Sequence, residues 1–214
     1  MRLLSFVLLI YNVFSNVITL TNTNHVSIVN QISESTASKF INDIQPITEP
    51  DIYIYIKSPG GEVSAGENII QYMRYKKHQN HTLLCIAESA LSMAFHIYQN
   101  CDERIVLPNS VIMQHQMSLQ VGGSLENINS YLTMINSVNN KLIISESKRL
   151  DITTDEYKNR IVSDWWIYGE DIITQNVGDR MIEAIGCDTK LLQTTKTVIG
   201  DGVLSKQSLC PLLN

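Results

Sequence analysis

Three times in its first hundred residues the chain leaves a run of β-branched and aromatic side chains, crosses a short polar break, and enters a stretch with helical spacing. Val26-Ser27-Ile28-Val29 is followed by Ser33-Glu34-Ser35-Thr36, which opens a helix with Ala37, Phe40, Ile41 and Ile44 among its apolar positions. Asp51-Ile52-Tyr53-Ile54-Tyr55-Ile56 reads as a buried strand. Ser58-Pro59-Gly60-Gly61 breaks it, and a helix over 64–75 places Ala65, Ile69, Tyr72 and Met73 on one side. Thr82-Leu83-Leu84-Cys85-Ile86-Ala87 is the next strand, ahead of a helix over 92–98. Strands joined by helical crossovers of this length build a parallel α/β core. Further along, 104–107 and 111–113 read as short strands around the turn Pro108-Asn109-Ser110. A long helix is expected over about 125–150 and another from near Thr154. After Cys187 the pattern weakens, and 188–214 reads as a C-terminal tail.

The length of 214 residues suits one domain, and apolar residues at 44% supply one sizeable core. A formal charge of −5 argues against a general nucleic-acid binder, so no nucleic-acid partner is expected. Cys85, Cys101, Cys187 and Cys210 form no C-x-x-C and no histidine pairing at zinc spacing, so no metal site is expected. Met1-Arg2, the apolar run over 3–10, and Val13 and Ser15 before a cut follow the basic–apolar–small order of a secretory signal peptide. Residues 1–15 are therefore expected to be a leader, with a mature chain starting near Asn16. The alternative is an N-terminal strand or helix packed on the domain. With the leader the protein is secreted or in an endomembrane lumen; without it, cytoplasmic or organellar. One glycosylation acceptor pattern, Asn80-His81-Thr82, is present.

Three segments could carry chemistry. The glycine pair of Ser58-Pro59-Gly60-Gly61 lets backbone amides approach a ligand, although Pro-Gly-Gly is also an ordinary turn. Glu88-Ser89-Ala90-Leu91-Ser92-Met93-Ala94 leaves a buried strand for a helix, at the strand's carboxyl end where α/β sites gather. Its Met93 amide could face an oxyanion, and either Ser92 or Ser89 could instead be a helix N-cap. His115, in Met113-Gln114-His115-Gln116-Met117, could take a proton from serine near neutral pH. His25, His78, His81 and His96 compete; His96, one helical turn after Ser92, could line the same pocket.

Taken together, Tyr53-Ile54-Tyr55-Ile56-Lys57-Ser58-Pro59-Gly60-Gly61-Glu62-Val63, then Ala90-Leu91-Ser92-Met93, then Leu107-Pro108-Asn109-Ser110-Val111-Ile112-Met113-Gln114-His115-Gln116 resemble the Clp protease proteolytic-subunit family in order and near-spacing. The resemblance runs over roughly 26–185. It implies an α/β Clp/crotonase-like spiral of β-β-α units with a protruding handle helix, spanning 16–187 as a peptidase domain. It also implies a serine endopeptidase with Ser92 as nucleophile, His115 as general base and Asp164 as the orienting acid, where Asp155 or Asp171 could compete. The oxyanion and substrate-binding groups would be Gly61 and Met93, beside Gly60, and no cofactor is implied. Where the family has a glycine after the methionine, this chain has Ala94-Phe95, and 92–115 is slightly shorter than in the family.

Gln120-Val121-Gly122-Gly123-Ser124 and the long helix, with Ile128, Leu132, Ile135, Val138, Leu142 and Ile143, resemble the family's handle. The implied partners are peptide or unfolded-protein substrates and further copies in a homo-oligomeric ring. The N-terminal loops that serve docking to an ATPase unfoldase have no clear counterpart, which puts that partner in doubt. Two other readings compete: a catalytically inactive ring scaffold, and an acyl-CoA hydratase or isomerase on the related crotonase fold.

Overall fold

The computed structural model describes residues 17–200 and 203–213, with 196–200 and 203–207 described by their backbone alone. The segment read as a leader, residues 1–15, lies outside them. In chain order the first elements are β1 (Val17–Leu20), β2 (His25–Val29), α1 (Glu34–Ile44), β3 (Asp51–Ser58), α2 (Val63–His78), β4 (Thr82–Leu91), α3 (Met93–Gln99) and β5 (Glu103–Gln114). Then come α4 (Leu125–Leu150), α5 (Thr154–Arg160), β6 (Trp165–Tyr168), α6 (Asp171–Thr174), β7 (Arg180–Met181), β8 (Ala184–Cys187), α7 (Thr189–Gln193), β9 (Thr195–Gly200) and β10 (Val203–Ser208).

The central sheet runs β2-β3-β4-β5-β6. Its first four strands are parallel, as the strand–break–helix rhythm requires, while β6 returns antiparallel on β5 and β7 joins β5 in parallel. Alternate side chains separate two cores. Ile54, Ile56, Cys85, Ala87 and Val106 face the helices, packing with Phe40, Ile69 and Phe95. Ile86 and Ile105 face the other way, toward Leu20, Ile182, Leu191 and Cys210. That second layer rests on β1, which pairs in parallel with β8. It also holds the segment after Cys187, where Leu191 and Cys210 are buried. Cys187–Cys210 and Cys85–Cys101 are disulfide-bonded.

The two short strands expected around Pro108 are one strand, β5, carrying an irregularity. Between Ala87↔Val106 and Ser89↔Val111 the strands fall out of step, so 107–110 leave the ladder and Pro108 has no pairing duty there. Ser110 closes the excursion, its hydroxyl donating to Ala87 O at 2.6 Å and accepting from Leu107 N at 2.7 Å. On β4 the extra residue is Glu88, which accepts from the Tyr55 hydroxyl and pairs with Lys57 Nζ at 3.0 Å.

Helix α4 protrudes. Its buried residues, Ile143, Glu146, Ser147 and Leu150, all lie in its last turns. Over the rest, Leu125 and Met134 are exposed, and Ile128, Leu132 and Ile135 are only half-buried. No helix among the described residues is long and apolar enough to cross a membrane.

Candidate active site

Strand β4 ends at Leu91 and α3 begins at Met93, so the whole change of direction falls on Ser92. Its backbone sits at φ 54, ψ −122, a left-handed value costly for a residue with a Cβ. Its N–H donates to Met113 O at 2.9 Å, which anchors the turn to β5. Although Ser92 is the residue flanking the helix start, its hydroxyl makes no capping bond. Instead Ser92 Oγ lies 2.8 Å from His115 Nε2, the distance at which the hydroxyl donates to the ring. His115 follows the end of β5, and β5 lies beside β4 in the sheet. That adjacency brings together two groups separated by 23 residues.

The other candidates lie elsewhere. Ser89 is held in the ladder opposite Val111. His25 bonds Thr21 O, and His81 bonds Glu49 O. Asp164 immediately precedes β6, whose antiparallel register pairs Gln114 with Trp165. Asp164 and His115 thus each lie one residue beyond the last pair of that ladder. The exposed Asp164 side chain makes no hydrogen bond or ion pair among the described residues, and neither does that of Asp155. Asp171 lies in the first turn of α6.

The glycine loop closes over the serine. Ile32 N donates to Gly60 O at 2.8 Å and Glu62 N donates to Ile32 O at 3.0 Å, pinning the loop to the chain between β2 and α1. Gly60 N donates to Ser58 Oγ at 3.1 Å, and the same hydroxyl donates to Asn30 O at 2.6 Å. Gly60 has φ +90, and a Cβ there would stand 2.7 Å from Ser92 Cβ and 2.9 Å from Met93 N. Bare backbone is thus required against the Ser92 turn. The N–H groups of Gly61 and Met93 donate to no other group among the described residues, which leaves both for a ligand oxygen. A cavity of about 110 Å³ opens here, lined by Ser92, His115 and Gly61 together with Met93, Leu142 and Ile161 among others.

Beneath it lies a polar cluster only partly foreseen. His96, 3% exposed, stands between two carboxylates: Nδ1 is 2.9 Å from Glu146 Oε1 and Nε2 is 3.3 Å from Glu67 Oε1. Glu146, 2% exposed, also accepts from Gln114 Nε2 at 3.0 Å and from the Tyr157 hydroxyl. Gln114 Oε1 in turn accepts the His115 backbone N–H at 3.0 Å. Burial alone would push the His96 ring down, but its bonds to Glu146 and Glu67 outweigh that and hold it up at about 9. Burial likewise pushes Tyr157 up, reinforced by Glu146, so its hydroxyl stays a donor. Sequence could have flagged Glu146. On a helix whose last turns bury Ile143 and Leu150, position 146 falls on the same face, where a carboxylate demands buried partners.

This cluster predicts a pH dependence of folding. A histidine raised from 6.5 to about 9 adds stability that is complete below pH about 6.5 and disappears as pH climbs through about 9. The gap corresponds to roughly 3 kcal/mol. Urea midpoints measured between pH 6 and 10 should fall over that window, and His96→Leu should flatten this part of the profile.

A family model described as Clp protease matches residues 10–184. The chain belongs to the Clp protease family. The match spans the sheet from β2 through β7, both segments that meet at Ser92 and His115, and the protruding helix. Clp protease family membership makes the chain a Clp-type peptidase at the level of the family, whose members act on peptide or protein substrates and form oligomeric rings. The α/β architecture, with a central mixed sheet and a protruding helix, is that of the Clp-type fold.

Proposed function

We propose that this Clp family member is an active serine endopeptidase. The observation that carries the reading is the 2.8 Å approach of Ser92 Oγ to His115 Nε2. His115 accepts the hydroxyl proton as Oγ attacks the peptide carbonyl. The Gly61 and Met93 amides receive the oxyanion, and Gly60 allows the close approach that aims them. His115 then protonates the leaving amine. Water gives a proton to the same ring as its oxygen attacks the acyl carbon, and the ring returns that proton to Ser92 Oγ as the ester bond breaks. In the resting structure the Asp164 side chain stands apart. Asp164, one residue before β6, is assigned a movement that brings its carboxylate to the ring. There it would orient the imidazole and stabilise its charged form. No metal or organic cofactor enters this sequence of steps.

The cavity beside Ser92 mixes apolar Met93, Leu142 and Ile161 with polar Gln116, Asn139 and Glu146, so a substrate side chain next to the scissile bond would meet both kinds of surface. The half-buried row along α4 is the surface on which a second copy would seat, giving the ring assembly characteristic of the family. An N-terminal leader would send the mature chain to a secretory or luminal compartment, where two disulfides are at home.

The test is turnover of a panel of fluorogenic peptides and of an unfolded protein, run beside an acyl-CoA thioester. Peptide cleavage with an untouched thioester is expected. Thioester turnover alone would select the crotonase-type reading, and no turnover by the intact assembly would select the scaffold.

A further inference from the structure

The buried cluster under the active site has no part in the steps above, yet it joins α2, α3, α4 and α5 to the end of β5 beside His115. His96 belongs to α3, the helix that Ser92 begins. Glu146 belongs to the last turns of α4, Tyr157 to α5 and Glu67 to α2. Gln114 is the last residue of β5, directly before His115. The bonds run in one line: Glu67 to His96, His96 to Glu146, Glu146 to Gln114, and Gln114 Oε1 to the His115 amide.

We propose that His96, acting through Glu146 and Gln114, is a positioning residue for the Ser92–His115 pair: a charged clamp that locks the nucleophile helix, the handle helix and the base segment together. The proposal rests on the reading of Ser92 and His115 as the catalytic pair. An imidazolium between two carboxylates satisfies both buried oxygens of Glu146 together with Gln114 and Tyr157. Removing the proton from His96 leaves the Glu146 carboxylate, 2% exposed, without its cationic partner. The neutral ring keeps a single N–H for Glu146 and Glu67, so the charge that held Glu146 is lost. Gln114, which donates to both of its oxygens, is held less firmly, and with it the acceptor of the His115 amide. The other charges near the cluster are Arg74 and Lys141, which lie beside Glu67 on the solvent side and lower its carboxyl after the His96 bond has done so. The clamp sits on the floor of the cavity against the same α4 turns that supply Leu142 to its wall, so a shift of the handle helix reaches the base through it.

The experiment compares the unaltered assembly with Glu67→Gln and Glu146→Gln, reading kcat and KM from pH 6 to 10. The His96 ring and the His115 backbone amide are followed by NMR over the same range. Glu146→Gln keeps the shape of the side chain and is expected to lower kcat about 10²-fold with KM little changed, the scale of an ångström-sized misplacement. Glu67→Gln, at the half-exposed end of the line, keeps the fold. It should move the alkaline fall of kcat to lower pH, with the His115 amide resonance tracking the His96 titration. Folded variants with unaltered kcat and an unaltered alkaline limb would overturn the clamp. If the unaltered chain cleaves no peptide while the His115 amide still follows His96, the peptidase reading fails and the coupling stands.

Discussion

Replacing Ser92 by alanine is expected to lower peptide hydrolysis by about 10⁴–10⁶-fold, and His115→Ala by a comparable factor. The double variant should be little worse than either. The reason is geometric: the hydroxyl and the ring nitrogen, 2.8 Å apart, act on one proton, so removing either removes the nucleophile. Residual activity would come from the Gly61 and Met93 amides, which neither change disturbs. Asp164→Asn should cost less, because that side chain is not bonded to the ring in the resting structure. Losses for Ser92→Ala and His115→Ala that multiply in the double variant would mean that the two groups work separately.

The second large effect lies in the glycine loop. A methyl group on Gly60 would meet Leu91 O at 2.5 Å, Ser92 Cβ at 2.7 Å and Met93 N at 2.9 Å. None of these is a flexible side-chain end that can swing away. Gly61→Ala would drive its Cβ to 2.1 Å from Ile32 O, from a backbone at φ +151. Each substitution must push the loop off the Ser92 turn, displacing the Gly61 and Met93 amides to which the proposed mechanism gives the oxyanion. A fall of about 10²–10³ in kcat is expected for each, with a stability loss of about 1–3 kcal/mol from the disfavoured backbone. Gly186→Ala, which adds a methyl group where nothing lies within 4 Å, should leave hydrolysis within about twofold. Steady-state kinetics and urea midpoints of the three variants check this. Full activity in Gly60→Ala would mean that the loop does not crowd the serine.

The parallel core was legible because its signals are local. Runs such as Asp51-Ile52-Tyr53-Ile54-Tyr55-Ile56, closed by Ser58-Pro59-Gly60-Gly61, contain in a dozen residues the strand, the break and the helix start. The segment at the end of β4 was visible in the same way, but Ser89 and Ser92 both fitted it, and the resemblance to the family singled out Ser92. What escaped is what depends on partners far along the chain. Strands β1 and β8 are four residues each, and they pair across more than a hundred and sixty residues of chain, Val17 with Ala184. Neither has the length or alternation to announce itself. Glu146 drew no notice on a long helix rich in polar residues; its face, shared with Ile143 and Leu150, was the available signal, and the packing of α4 against α3 and β5 supplies its partners. The Pro108 turn led to an expectation of two strands, because a proline and a serine break the apolar run. The sheet absorbs them as an excursion of one strand.

The most direct measurement is covalent capture of the nucleophile. Incubation with a fluorophosphonate, followed by intact-mass analysis and peptide mapping, should add one label per chain on the peptide containing Ser92. Labelling should vanish in Ser92→Ala and slow strongly in His115→Ala. A folded protein that takes up no label, or takes it up on another serine at the same rate, would contradict the account.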